Sequence, residues 1–177
     1  MAKKNEFALD VVSVRLVKDA PIYSEQKINS PEQAMHLVGS VLCEMDREMT
    51  CVINLKSNGV PINCTFTSMG TLNASITCPR ELLKASILSN SAGIILVHNQ
   101  PSGDTSPSKD DIRLTDRMQQ ACELIGIPLT DHIIVGTDNR QYFSFREKGE
   151  LKNPFQVFAT DIAALNWNQV AERGGKR

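Results

Sequence analysis

The stretch Ala92–Asn99, AGIILVHN, constrains the fold most tightly. Ile94, Ile95, Leu96 and Val97 follow one another without a polar residue, so this strand has no face suited to water. A strand of that kind lies in the middle of a sheet covered on both sides, which calls for helices packed on each face. Its last residues place an imidazole, His98, at the carboxyl edge of the sheet, where open α/β folds commonly bind ligands. Pro101-Ser102-Gly103 then turns the chain sharply, and Ser108 with Asp111 three residues on carries the signature of a helix start.

The rest of the chain supplies partners for such a strand. NSPEQAMHLVGSVLCEM predicts a helix with Ser30 as cap, Pro31 at its first position and Gln33 at its third. Its apolar stripe is Met35, Leu37, Val38, Val41 and Leu42, with His36 on the flank. EMTCVINLKSNGVPINCTFTSMG reads as a hairpin turning at Asn58-Gly59, its second strand ended by Gly70. CPRELLKASILSN predicts a second helix. SKDDIRLTDRMQQACELIG predicts a third, capped by Ser108 and stopped at Gly126-Ile127-Pro128. DHIIVGTDNRQYFSFREKG predicts a last hairpin. VVSVRLV, residues 11–17, alternates and is β-branched, so a further strand is expected there. Helices alternating with strands imply one α/β domain with a mixed sheet. The expected division is 1–28 as N-terminal strand and link, 29–150 as the domain, and 151–177 as a partly mobile extension holding a short helix and a basic tail.

Bulk properties exclude some classes. The 177 residues suit one domain. A formal net charge of -1 gives no footprint for nucleic acid. No apolar run approaches the roughly 20 residues that span a bilayer, and MAKKNEFALD is too polar for a signal-peptide core. A cytoplasmic protein without membrane contact is the expectation. The five cysteines form no C-x-x-C pair, so reduced, mostly buried thiols are expected rather than a zinc ribbon.

The chemistry concentrates in residues 98–111. Residues 98 and 100 share a face of an extended segment, so both side chains can reach one metal ion. Asp111, in the first turn of the following helix, can point back to the same place. Two imidazoles and a carboxylate would leave a fourth zinc position open, as in catalytic sites; position 100, however, is glutamine. Each piece also has a plainer reading. Ser108 and Asp111 make a capping box, a histidine at a strand end is ordinarily just hydrogen-bonded, and PSGD alone is a turn.

Taken jointly, the stretch resembles the JAMM motif of JAB/MPN-domain metallopeptidases, most closely the RadC-like bacterial branch. That branch carries His-Asn-His-Pro-Ser-Gly-Asp followed by Pro-Ser-x-x-Asp. Here it stands as His98-Asn99-Gln100-Pro101-Ser102-Gly103-Asp104, then Pro107-Ser108-Lys109-Asp110-Asp111. SPEQA, DREM, the GTLN of Gly70–Asn73, PRELLKASI and DHIIVG extend the likeness over Asn29 to Gly149. The resemblance implies a single MPN (JAB)-like domain of cytidine-deaminase-like topology. It implies one zinc ion per chain, held by His98, Asp111 and the residue at position 100. It makes Ser108 the group that steadies the carbonyl oxygen, with Pro101 and Gly103 shaping the turn. It also requires an upstream glutamate as general acid/base. Glu48 in DREMT matches best, and Glu44 is the alternative, expected inside a helix. Asp131 and His132 fall at no standard ligand position and are expected to form a supporting hydrogen-bonded pair.

The activity so implied is hydrolysis of a peptide or isopeptide bond in a peptide or protein substrate. An amide oxygen is a poor substitute for imidazole on zinc, so Gln100 predicts weak zinc binding and an inactivated or weakened enzyme. Either an engineered substitution or a natural loss accounts for it. A natural loss would leave a non-catalytic protein-interaction module on the same fold. A DNA-repair accessory role, suggested by the RadC name, finds no DNA-reading motif here. The sequence carries no signal of oligomeric state.

Overall fold

Ser30 opens the first helix as its spacing predicts. The Ser30 hydroxyl accepts from the Gln33 N–H at 3.4 Å, and the Gln33 side chain accepts from the Ser30 N–H at 3.2 Å. The computed structural model describes residues 13, 15–19, 21–22, 27–68 and 78–151. Within these, α1 spans Pro31–Cys43, β1 Met49–Leu55, β2 Pro61–Ser68 and α2 Pro79–Leu88. β3 spans Gly93–Asn99, α3 Lys109–Ile125, β4 Leu129–Val135 and β5 Tyr142–Ser144.

The strands form one mixed sheet in the order β2-β1-β3-β4-β5. β3 is the middle strand, antiparallel to β1 and parallel to β4, and α3 makes the crossover that a parallel pair needs. Every residue of β3 is buried. Alternation sorts its side chains between two cores. Ile95 and Val97 pack with α1 through Ala34, Met35, Val38 and Leu42. Ile94 and Leu96 pack on the other side with α2 and α3 through Leu82, Leu83, Leu114 and Met118. His98 continues the second series, so its ring emerges on the α3 side of the sheet. α3 ends at Gly126, whose φ of +71° is the left-handed cap glycine tolerates best. Asn58-Gly59 turns the β1–β2 hairpin, with Gly59 at φ +79°.

The strand expected at residues 11–17 does not form where it is described. Ser13 and Arg15 to Val17 lie outside the sheet, and Leu16 and Val17 are 47% and 91% exposed. Alternating β-branched residues favour extended backbone, but a strand also needs a neighbouring ladder, and none of the described strands pairs with this segment. The other residues of that segment, Gly70 and the GTLN stretch lie outside the described residues, as do residues 152–177 with their expected helix and tail. All five cysteines are free. Cys51 and Cys122 are buried, the other three half-buried, and burial pushes the Cys122 thiol up to about 12. Among the described residues, no helix is long and apolar enough to cross a membrane.

The two-sided burial of β3 has a measurable consequence. Leu96→Ala should cost about 2–5 kcal/mol in urea unfolding through the cavity it leaves. Leu124→Ala, at a side chain 88% exposed, should stay within about 0.5 kcal/mol. Equal effects would contradict this assignment of the core.

Candidate metal centre

Three elements converge at the carboxyl end of β3. The β1–β3 register pairs Thr50 with His98, so the residue before β1, Glu48, arrives on the same side of the sheet edge. The first turn of α3 brings Asp111 to the same point. The His98 Nε2 atom lies 3.3 Å from Asp111 Oδ1 and 3.7 Å from Glu48 Oε1. His98 and Asp111 are buried and Glu48 is half-buried, and their ligand atoms all lie within 4.8 Å of one another. Glu44 is elsewhere. It is the exposed C-cap of α1 rather than a residue within that helix.

The electrostatics favour a cation between these groups. Burial lowers the His98 pKa against the opposing pull of Asp111, which keeps the imidazole in its neutral, ligating form. Burial and then the Asp111 charge raise the Glu48 carboxyl above its ordinary range. His98 Nε2 is fully buried with no hydrogen-bond partner. An unsatisfied buried polar atom costs about 1–3 kcal/mol, and an ion at that atom is one of the partners that offsets such a cost. Two donors about 2.05 Å from a tetrahedral zinc stand about 3.3 Å apart, which is the observed separation of His98 Nε2 and Asp111 Oδ1. The residues present therefore fit a metal ion.

Ser108 and Asp111 form the capping box in full. The Ser108 N–H and hydroxyl both donate to Asp111 Oδ2, at 2.8 and 2.6 Å, and the Asp111 N–H donates to Ser108 Oγ at 3.1 Å. The box leaves Asp111 Oδ1 turned towards His98, so the structural and metal-binding readings of this pair coexist. Gln100 follows β3 directly, two residues beyond the last β1–β3 pair, Thr50 with His98. Its backbone is pinned at both ends: the N–H donates to Val135 O at 2.8 Å, and the carbonyl accepts from the Gly103 N–H at 2.9 Å. Pro101 and Gly103 thus build the turn leaving the site, with Gly103 at φ +81°.

Asp131 and His132 pair through the backbone, not the ring. Asp131 Oδ1 accepts from the His132 N–H at 2.7 Å, and Oδ2 accepts from the Ser144 hydroxyl at 2.7 Å. The His132 ring instead lies between His98 Nδ1, 2.9 Å from its Nε2, and Thr115 Oγ1, 2.6 Å from its Nδ1. It stacks on Phe145 with centroids 5.0 Å apart.

Two residues of the site were not singled out in the sequence. Thr115 is one, met only once α3 packs on β4. Asn99 is the other. Its Oδ1 accepts from the Met49 N–H at 2.7 Å and its Nδ2 donates to Arg47 O at 3.0 Å, clamping the backbone on either side of Glu48. Its place between two candidate ligands was the available signal. Asn99→Ala should leave both backbone groups unpaired, at a cost of about 1–3 kcal/mol, and speed hydrogen exchange at the Met49 amide. Unchanged protection there would show that the clamp does not hold this segment.

Residues 28–150 match the RadC-like JAB domain family. A UPF0758 protein of Desulfitobacterium hafniense is 43% identical over 124 residues, which cover 70% of this chain and 54% of the relative. A UPF0758 protein of Clostridium acetobutylicum is 41% identical over 129 residues, covering 73% and 56%. One from Methanosarcina mazei is 38% identical over 128 residues, covering 72% and 55%. The chain spans about half the length of these curated relatives. It belongs to the RadC-like JAB domain family.

Proposed function

We propose that this chain carries the site of a zinc-dependent metallopeptidase or isopeptidase, weakened by glutamine at position 100. The observation that carries the reading is the buried, unpartnered His98 Nε2 facing Asp111 Oδ1 at 3.3 Å, with Glu48 beside it. His98 and Asp111 hold the metal, and Gln100 offers it only a neutral amide oxygen. When bound, zinc supplies a Lewis acid that polarises a carbonyl and acidifies water.

The protein's own groups do the rest. Glu48 takes the proton of the attacking water and passes it to the leaving amine, and its raised pKa suits a group that must both accept and give a proton. Asn99 holds the backbone that carries Glu48. The Ser108 hydroxyl is exposed to an incoming chain and donates to the carbonyl oxygen as charge develops there. To do so it releases Asp111 Oδ2, which the Ser108 N–H still holds at 2.8 Å. The substrate is a peptide or protein. The amide at position 100 also favours a second reading, a non-catalytic protein-interaction module.

Gln100→His decides between the two. Losing a ligand-supporting contact typically costs about 10–100-fold in metal affinity, so restoring a direct imidazole ligand should tighten zinc binding by at least that factor. The variant should hold close to one zinc per chain and cleave peptide or isopeptide substrates until a chelator is added. Equal zinc binding by both proteins, with no cleavage of a peptide or isopeptide library by either, would leave the interaction module.

Glu48→Gln on that background should abolish cleavage while zinc stays bound. In the metal-free protein the same change should raise the melting temperature at pH 7. A carboxyl whose pKa is raised by folding loses its stabilising contribution as pH climbs through that pKa, and the amide has no such loss. The difference should vanish below about pH 4, where the carboxyl is protonated in both states. A destabilised Glu48→Gln protein at pH 7 would contradict the charge crowding described for this site.

A further inference from the structure

The hydrogen bonds behind His98 run in one direction only. Thr115 Oγ1 lies 2.7 Å from the carbonyl oxygen of Asp111. A carbonyl cannot donate, so the single hydroxyl proton of Thr115 must lie between these two oxygens. Thr115 Oγ1 therefore has only a lone pair to offer His132 Nδ1 at 2.6 Å, and the proton in that contact belongs to the imidazole. His132 is fully buried, and among the described residues its ring meets only the Thr115 hydroxyl, the His98 imidazole and the Phe145 ring, with no carboxylate to hold a charge, so the ring is neutral and its Nε2 is bare. The contact from His132 Nε2 to His98 Nδ1 at 2.9 Å then takes its proton from His98. A neutral His98 protonated on Nδ1 has a bare Nε2, the atom left without a partner between Asp111 and Glu48.

We propose that Thr115 and His132 are positioning residues that fix His98 in the tautomer able to ligate a metal. The inference rests on the reading above that His98 is a metal ligand. Histidine ligands are oriented by the partner of their other ring nitrogen; here that partner is a second imidazole, whose own tautomer is set by a threonine one turn along α3 from Asp111. The relay returns to the carbonyl of the residue whose carboxylate faces the site, so ligand and relay share the first two turns of α3. His132 is rigid in this role, stacked on Phe145 and anchored through its N–H to Asp131. Gln100 takes no part in this relay, so position 100 can change without reversing it.

Imidazole spectra of the metal-free protein test the relay without any activity. Long-range proton–nitrogen correlations on isotope-labelled protein separate protonated from bare ring nitrogens, and only three histidines need assignment, His36 being exposed. His98 and His132 should both be neutral, with Nδ1 protonated and Nε2 bare. Thr115→Val removes the acceptor for His132. Its proton should move to Nε2 and donate to His98 Nδ1, driving the His98 proton onto Nε2 opposite Asp111. Zinc affinity, read on the Gln100→His background where binding is tight, should then fall about 10–100-fold. Thr115→Ser should restore both the tautomers and the affinity. A wild-type His98 protonated on Nε2 would overturn the proposal, and that spectrum decides even if Thr115→Val does not fold. So would Thr115→Val with wild-type tautomers and wild-type affinity. The predicted tautomers in a Gln100→His protein that binds zinc but cleaves nothing would support the relay and count only against the hydrolase.

Discussion

β3 is enclosed above, below and on both edges, so any polar group on it must find a partner inside the protein or cost stability. Six of its positions meet this condition with apolar side chains, glycine or, at Asn99, a double hydrogen bond to backbone. His98 meets it on one ring nitrogen only. The arrangement of the sheet edge follows from supplying that second nitrogen with surroundings. The β1–β3 register brings a carboxylate from one side, and the cap of α3 brings another from above. Two carboxyl groups, one buried and one half-buried, crowded against a buried bare nitrogen are mutually unfavourable until a cation joins them.

In the proposed site the same residues serve stability and chemistry at once. Ser108 and Asp111 satisfy the free N–H groups at the start of α3, and the cap geometry is what turns Asp111 Oδ1 towards His98. Asn99 closes the sheet edge and in doing so holds Glu48 in place. Such double use lets the plain reading of these residues stand beside the proposed functional one. It also means that variants at Ser108, Asp111 or Asn99 mix folding with function, whereas Glu48, half-buried and free of structural hydrogen bonds among the described residues, separates the two.

Much of the fold was legible because local signals agreed with the tertiary pattern. Ser30 with Gln33, Ser108 with Asp111, Asn58-Gly59 and Gly126 each mark a boundary through a hydrogen bond or a backbone angle formed within a few residues. β3 was legible because a doubly buried strand has no polar face. The strand expected at residues 11–17 failed where described because alternation reports a preference, and a ladder needs a neighbour that the sequence does not name. At the site, His98 and Asp111 stand out through a fixed spacing and Glu48 through its match in DREMT, and the register of β1 on β3 supplies the physical reason that Glu48 rather than Glu44 reaches the sheet edge. The roles of Thr115 and His132 could not be read in advance. They lie 17 residues apart, on a helix and on a strand, and meet only when α3 packs against β4. Adjacency in sequence makes Asp131 a partner of the His132 backbone N–H, whereas the His132 ring answers to residues distant in the chain.

The metal site proposed at the carboxyl end of β3 rests on His98 and Asp111. Anomalous diffraction from crystals soaked in zinc, recorded at the zinc edge, tests it directly. The expected result is a single strong peak about 2.0–2.2 Å from both His98 Nε2 and Asp111 Oδ1. A soaked crystal with no peak there, or with zinc bound only at other residues, would contradict it.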